Sequence, residues 1–190
     1  MKFQNILLLV TVISLSSCDY NKFVNLDENV EKAWADVQTS YQRRADLIGN
    51  LVETVKGAAD FERETLTAVI EARSKASGIT IDPSNVTPEQ LQSFESAQSG
   101  LSQSLGRLLV TVEQYPQLKA NQNFLELQTQ LEGTENRISV ARTRYNEAVA
   151  EYNKTIRRFP SFLYASSFGF EKRTPFSASE AAQTAPQVKF

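Results

Sequence analysis

Apolar side chains recur at alternating steps of four and three along residues 30–55, which is the period of one face of an α-helix. The positions are Val30, Trp34, Val37, Tyr41, Ile48, Leu51 and Val55. One polar residue, Arg44, takes the place on this face between Tyr41 and Ile48. Because the pattern extends over more than three heptads, it predicts a long helix that packs along another helix.

The ends of this first helix are less sharply marked. Asn25 with Glu28 is a candidate capping box at its start, and an earlier start near Asn21 is the alternative. Residues 57–59, Gly-Ala-Ala, offer a break or a kink. A second amphipathic run follows, with Phe61, Leu66, Val69 and Ile70. The pattern leaves open whether residues 25–77 form one kinked helix or two.

A loop is predicted over residues 78–90, and it closes on a helix start signal. Thr87 is the predicted N-cap, Pro88 the first helical residue and Gln90 the third. The next helix carries Leu91, Phe94, Leu101, Leu105, Leu108, Val112 and Tyr115 at helical spacing. We expect it to stop at Pro116, which cannot continue a helix.

A second very long apolar face follows a candidate capping box at Asn123 and Glu126. Its members are Phe124, Leu127, Leu131, Ile138, Ala141, Tyr145, Val149, Tyr152, Ile156 and Phe159. A helix of roughly 35 residues is about 50 Å long. The predicted fold class is therefore all-α, an antiparallel bundle of long helices.

Aromatic residues are dense towards the C-terminus, at Phe159, Phe162, Tyr164, Phe168, Phe170 and Phe176. The favoured interpretation is that they fold back over one end of the bundle, and the alternative is a surface for a partner or a membrane. Partial helical spacing over residues 162–168 predicts one short helix. We expect an extended tail over residues 171–190, loosely ordered after Pro175.

The N-terminus has the layout of a secretory signal peptide. Lys2 is followed by an apolar run over residues 6–15, which is too short to span a bilayer. Residues 15–18, Leu-Ser-Ser-Cys, match a bacterial lipobox, and Cys18 is the one cysteine of the chain. We therefore expect cleavage before Cys18 and its modification with acyl chains such as palmitate, which anchor the protein to a membrane.

These boundaries define four predicted segments. They are a cleaved signal peptide (1–17), a lipid-anchored connector (18–24), a helical bundle (25–170) and a C-terminal tail (171–190).

Composition removes most catalytic chemistry. The chain has 190 residues, no histidine and a formal net charge of −2, which gives no electrostatic case for binding nucleic acid. Catalytic triads and the usual zinc sites need histidine or several cysteines. We predict no catalytic, cofactor-binding or metal-binding residue, although paired carboxylates suffice for glycoside hydrolysis.

One polar cluster interrupts the apolar faces, and its predicted members are Arg43, Arg44, Asp46, Glu132, Glu135 and Asn136. Since Arg44 falls on an apolar face, its guanidinium needs an acceptor, and Glu132 and Glu135 are the candidates. The favoured interpretation is an ion pair that fixes helix alignment, and the alternative is a recess for a ligand or partner. Asn146 is likewise expected to bond between helices.

Several blocks of the chain resemble the LemA family. They include YQRRADLIGNLVETVKG (41–57), LEGTENRI (131–138), FPSFLYASSFGFE (159–171) and APQVKF (185–190). The resemblance implies a membrane-attached, extracytoplasmic helical bundle of a family whose biochemical role is not established. Family members usually begin with a transmembrane helix, where this chain has a lipobox, and tend to have proline where it has Gly49.

Three hypotheses for function follow. The leading one is a lipid-tethered, non-enzymatic bundle that presents its helices to another envelope membrane protein, at the inner or outer membrane. The second is a hydrolase that uses carboxylates on cell-surface glycans. The third is a structural protein that associates with copies of itself.

Overall fold

A computed structural model describes residues 2–57 and 61–177, with side chains from residue 20 onwards. This part of the chain is helical and contains no β-strand. The helices are α1 (Lys2–Lys56), α2 (Arg63–Ser77), α3 (Pro88–Val112), α4 (Pro116–Lys119) and α5 (Gln122–Ile156). The predicted all-α class is confirmed.

The long helices α1 and α5 lie antiparallel along each other. Arg44 reaches Glu135, and the rings of Trp34 and Tyr145 have centroids 5.3 Å apart, so residue numbers rise on one helix as they fall on the other. Helices α2 and α3 form a second antiparallel pair that packs against α1. The apolar faces read from the sequence are the buried faces of α1, α3 and α5.

The question left open for residues 25–77 is resolved as two helices, because α1 ends at Lys56 and α2 begins at Arg63. The predicted start near Asn21 or Asn25 is wrong, since α1 continues without interruption through residues 18–24, predicted as a connector. No proline or glycine precedes Gly49, so nothing in this stretch breaks a helix. The side chains of residues 2–19, including Cys18, lie outside the described part.

Polar side chains cap the N-termini of both α3 and α5. Thr87 and Gln90 form the predicted capping box, with both bonds between side chain and backbone present. The start of α5 differs from the prediction by two residues. Asn121, and not Asn123, accepts from the backbone N–H groups of residues 123 and 124. An Asn at N-cap satisfies amides that have no partner within the helix.

Helix α5 ends three residues before Phe159, which was assigned to its apolar face and is instead 79% exposed. Pro160 follows directly, and the residue before a proline is disfavoured in helical geometry. The predicted short helix over 162–168 is two 3₁₀ turns, Ser161–Leu163 and Ser166–Phe168. Glycine ends the second turn, at Gly169, with φ of 83°.

The tail is tied to the bundle through Ser177, so the predicted bundle boundary at residue 170 is too early. Two asparagines of α5 each make two hydrogen bonds to the backbone of one tail residue. Asn153 pairs with Arg173 at 2.8 and 2.9 Å, and Asn146 with Phe176 at 3.2 and 2.8 Å. Seven residues of helix and three extended residues both span about 10 Å, so the two spacings match. The expectation that Asn146 bonds between helices is wrong.

Side chains of the tail also enter the interior. Phe176 is buried between Trp34 and Tyr145, with ring centroids 5.7 and 5.4 Å away. The Tyr145 hydroxyl donates to the Thr174 carbonyl at 2.9 Å, and burial raises the pKa of Tyr145 to about 12. Arg173 forms an ion pair with Asp27 of α1 at 2.6 Å. The tail therefore fastens α5 to α1, and residues 178–190 lie outside the described part.

Some of the aromatic residues before the tail cover one end of the bundle, and others form an exposed surface there. Tyr164 and Phe170 are half-buried against Phe23 of α1, as a cover for one end of the bundle requires. Phe159, Phe162 and Phe168 remain exposed on the same end. Among the described residues, no helix combines the length and the apolar character needed to cross a membrane.

We predict that Asn146→Ala lowers the free energy of unfolding by about 1–3 kcal/mol, because it leaves an N–H and a carbonyl of Phe176 without their partner. Urea unfolding measures this change. Asn136→Ala is the control, since Asn136 is exposed on the same helix and its replacement should cost less than about 0.5 kcal/mol. Equal effects of the two substitutions would show that the asparagine bonds do not hold the tail.

Candidate functional site

The apolar interior is divided into two clusters by a layer of polar residues. One cluster extends from Phe23 to Tyr41 along α1 and the other from Leu47 to Val55. Between them lie Arg44 of α1, Gln98 of α3 and Thr134 of α5, all buried. The three helices thus contribute polar side chains at one level of the bundle.

Arg44 is the centre of this layer and is only 3% exposed. Its Nη1 donates to the Glu135 carboxylate at 2.8 Å and to the Ser102 hydroxyl at 3.3 Å. Its Nη2 donates to the side-chain oxygen of Gln98 and, at 3.3 Å, to the Gln98 carbonyl. The guanidinium carbon also lies 5.1 Å from the centre of the Tyr41 ring, within range of a cation–π contact.

Gln98 links this arginine to α2. Its amide nitrogen donates to the Ala76 carbonyl at 3.4 Å, near the end of α2, while its oxygen accepts from Arg44. Within the described residues, the Arg44 Nε is buried and has no hydrogen-bond partner. The acceptors of the guanidinium therefore come from two helices, α3 and α5, and a shift of either helix along its axis would remove an acceptor.

A groove of about 850 Å³ opens above this layer between α3 and α5. Arg44 and Tyr41 form part of its floor, and Glu135 and Arg142 line its α5 side. Its α3 side consists of Gln92, Glu95, Ser96, Gln98, Ser99, Gly100, Ser102 and Gln103. All of these residues except Glu95 are uncharged, and four of them are serine or glycine, so the groove offers hydrogen-bonding groups and space for a segment of chain.

A second ion pair bridges the groove near the tail. Arg142 of α5 contacts the Glu95 carboxylate of α3, and its guanidinium lies 4.5 Å from the centre of the Phe176 ring. The Ser177 hydroxyl donates to the other Glu95 oxygen at 3.1 Å. The last described residue of the tail therefore borders the groove.

The six residues of the predicted polar cluster do not form one cluster. Of the two candidate acceptors for Arg44, Glu135 is the one it reaches. Glu132 is exposed and accepts from Gln128 at 3.4 Å, and Asp46 is exposed and accepts from Gln42 at 3.0 Å. Arg43 and Asn136 are also exposed. Successive residues of a helix are turned by about 100°, so Arg43 and Asp46 lie on other sides of α1 than Arg44.

Sequence reasoning missed Gln98, Ser102 and Thr134, although a signal for two of them was present. The apolar face of α3 skips from Phe94 to Leu101, and that of α5 from Leu131 to Ile138. Gln98 and Thr134 fill these gaps as Arg44 fills the gap in α1. Three apolar faces interrupted once each predict a polar layer when the gaps are aligned.

Two carboxylates, those of Glu95 and Glu135, line the groove, and each is engaged by an arginine. Across the described residues, no three His, Cys, Asp or Glu side chains come together as ligands for a metal ion. The arrangement presents bonded ion pairs and free hydroxyl and amide groups.

Comparison with known proteins gives this architecture a family. A model of the LemA family matches residues 33–190, most of the chain. The chain belongs to the LemA family. Protein LemA of Metamycoplasma hominis is 27% identical, over 94% of this chain and 80% of that protein. Magnetosome protein MamQ of Magnetospirillum gryphiswaldense is also 27% identical, over 97% of this chain and 75% of that protein. Magnetosome protein MamQ 1 of Paramagnetospirillum magneticum has the same identity, over 95% and 72%.

Gly49 makes room for an arginine of α2. A Cβ at this position would lie 3.1 Å from the guanidinium of Arg73. Arg73 uses that space to donate from Nε to the Ala45 carbonyl at 2.7 Å. The residue next to Arg44 is thus bonded to α2 through its backbone, which adds a second tie at the level of the polar layer.

We predict that Gln98→Leu destabilises the protein more than Glu135→Gln, although it removes no charge. Gln98 is 8% exposed and Glu135 49%, so water can replace the carboxylate but not the buried amide. Loss of the buried partner should cost about 1–3 kcal/mol in urea unfolding. Glu132→Gln is the control and should change stability by less than about 0.5 kcal/mol. If all three variants unfold alike, Arg44 does not depend on these acceptors.

Proposed function

We propose that the protein is a lipid-anchored, extracytoplasmic interaction module of the cell envelope, which acts without catalysis. In this proposal the groove between α3 and α5 binds a polar segment of another envelope protein. The observation that carries it is the groove itself, which is open, floored by Arg44 and lined by hydroxyl and amide groups. Such groups recognise backbone and polar side chains of a partner through hydrogen bonds.

The anchor in this proposal is Cys18, at the end of the Leu-Ser-Ser-Cys sequence. Cys18 lies within α1, two residues before Tyr20. A lipid attached there would hold the part of α1 that follows it, and with it the groove, on the outer side of the membrane that carries it.

A hydrolase acting on cell-surface glycans is the second candidate, because Glu95 and Glu135 line the same groove. Glycoside hydrolysis requires one carboxyl group to donate a proton and the other to act as base or nucleophile. Both carboxylates are instead acceptors for arginine, in the Glu95–Arg142 and Glu135–Arg44 pairs. This favours recognition over catalysis.

Photo-cross-linking in cells tests the proposal. We predict that benzoylphenylalanine at Ser99, an exposed position in the groove, captures a second envelope protein. Gly100→Leu should abolish this capture by filling the groove, since a Cβ there meets no atom within 4 Å and the fold is left intact. Gly106→Leu is the matched control, because it lies on the same helix with equal space around its Cβ and outside the groove.

Replacement of the anchor adds a second arm to this experiment. Cys18→Ala should release the protein from the membrane fraction and reduce the capture at Ser99. Links only to residues 178–190, or only to copies of the chain, would contradict partner binding and point to self-association. Capture that persists in Gly100→Leu would place the recognition outside the groove.

A further inference from the structure

Exposed apolar side chains are concentrated at one end of the bundle. The described residues include nine large hydrophobic side chains that are exposed, and five of them lie at this end. They are Tyr20, Phe159, Phe162, Leu163 and Phe168, with exposed fractions from 44% to 79%. The other four, Ile70, Val110, Leu125 and Val140, are spread over α2, α3 and α5. An apolar patch of this kind marks a site of contact.

The patch is fixed to the core. Phe170 stands between the exposed and the buried rings, 5.7 Å from Tyr20 and 5.2 Å from Phe23. Phe23 is fully buried. Tyr20 also contacts Phe168 at 5.6 Å, edge to face. Since these aromatic contacts hold the rings in place, the exposed apolar surface is a preformed feature.

The end that carries this patch is the end at which the predicted anchor attaches. Arg44 lies opposite Glu135 and Trp34 opposite Tyr145, and the same alignment brings the end of α5 towards the level of Tyr20, whose ring contacts Phe168. Cys18 precedes Tyr20 by two residues of α1, a rise of about 3 Å. The apolar run of residues 6–15 precedes Cys18.

Basic residues border the patch. The segment from residue 154 to 173 contains four basic residues, Lys154, Arg157, Arg158 and Lys172, against a single acid, Glu171, while its fifth, Arg173, is held by Asp27 of α1. Lys154, Arg157 and Lys172 line one shallow depression. The chain as a whole has a formal charge of −2, so this concentration of positive charge is local. Aromatic residues flanked by Lys and Arg are typical of surfaces that lie at a membrane interface.

We propose that this end of the bundle rests on an anionic bilayer, with Phe159, Phe162 and Leu163 among the lipid headgroups and the basic residues against the phosphates. The contact is separate from partner binding in the groove, and it holds whether the chain is attached by a lipid on Cys18 or by an uncleaved N-terminal segment. It orients α1 away from the membrane. Arg44 then lies about 36 Å along the helix from Tyr20, which sets how far a partner must reach.

Quenching of tryptophan fluorescence by brominated lipid tests this proposal. The full-length, anchored protein is reconstituted into vesicles of phosphatidylethanolamine and phosphatidylglycerol with brominated acyl chains. Phe162→Trp is the probe, and Val110→Trp, 66% exposed on α3, is the matched control. Trp34, the one native tryptophan, is buried in the core and reports that each variant is folded.

We expect the emission added by Phe162→Trp to be quenched about twofold or more and shifted to the blue, because the ring lies at the acyl–headgroup boundary. The emission added by Val110→Trp should remain unquenched. Equal quenching of the two would overturn the proposal. Leu163→Trp repeats the measurement if Phe162→Trp does not fold.

A double substitution tests whether the basic residues contribute to membrane contact. Arg157→Glu and Arg158→Glu together should reduce the quenching of Phe162→Trp in vesicles with phosphatidylglycerol and leave it unchanged in phosphatidylcholine. No difference between the two kinds of vesicle would contradict a role for the basic residues.

Discussion

Within the described part of the chain, one guanidinium, that of Arg44, is buried in the interior of the bundle, and its need for acceptors constrains the alignment of the helices. A buried charge is tolerated only where it is paired and hydrogen-bonded. Arg44 of α1 finds Gln98 and Ser102 on α3 and Glu135 on α5, and Gln98 continues to the backbone of α2. In a pair of helices a buried polar residue specifies the register, because any other alignment leaves it without its partner. The polar layer gives one alignment an advantage over the others.

The two ends of the molecule follow from that alignment. With Arg44 opposite Glu135, the end of α5 and the aromatic turns after it reach the level of Tyr20, beside the predicted anchor. The tail then returns along α5, held by Asn153 and Asn146, and stops at the edge of the groove. The same helix pair therefore places a proposed membrane-facing end and a proposed partner-binding groove at fixed separation. Because α1 and α5 are long and rigid, a single alignment of the two helices fixes the distance between the membrane-facing end and the groove.

Much of this architecture could be predicted from apolar periodicity and caps. The buried faces of α1, α3 and α5 and the capping box at Thr87 follow from local patterns, and so does the need of Arg44 for an acceptor. The rest depends on contacts between distant segments. Nothing local in Asn146 or Asn153 says that each will bond the tail backbone, and the buried place of Phe176 exists only once α1 and α5 are paired. The basic residues beside the apolar patch could not be predicted from the overall charge, which is close to neutral. Lys154, Arg157 and Lys172 come together only in the folded structure.

The distance between spin labels on α1 and α5 tests most directly whether the polar layer sets the alignment. Labels at Glu28 and Glu151, both exposed, are compared in the full-length Cys18→Ala protein with and without Arg44→Met and Gln98→Leu. We predict one narrow distance for the unaltered layer. In the protein with Arg44→Met and Gln98→Leu, we expect a second population of distances, in which the helices are displaced by one turn of about 5.4 Å or by a heptad of about 10.5 Å. A single, unchanged distance in the apolar variant would contradict the account, since packing alone would then fix the alignment.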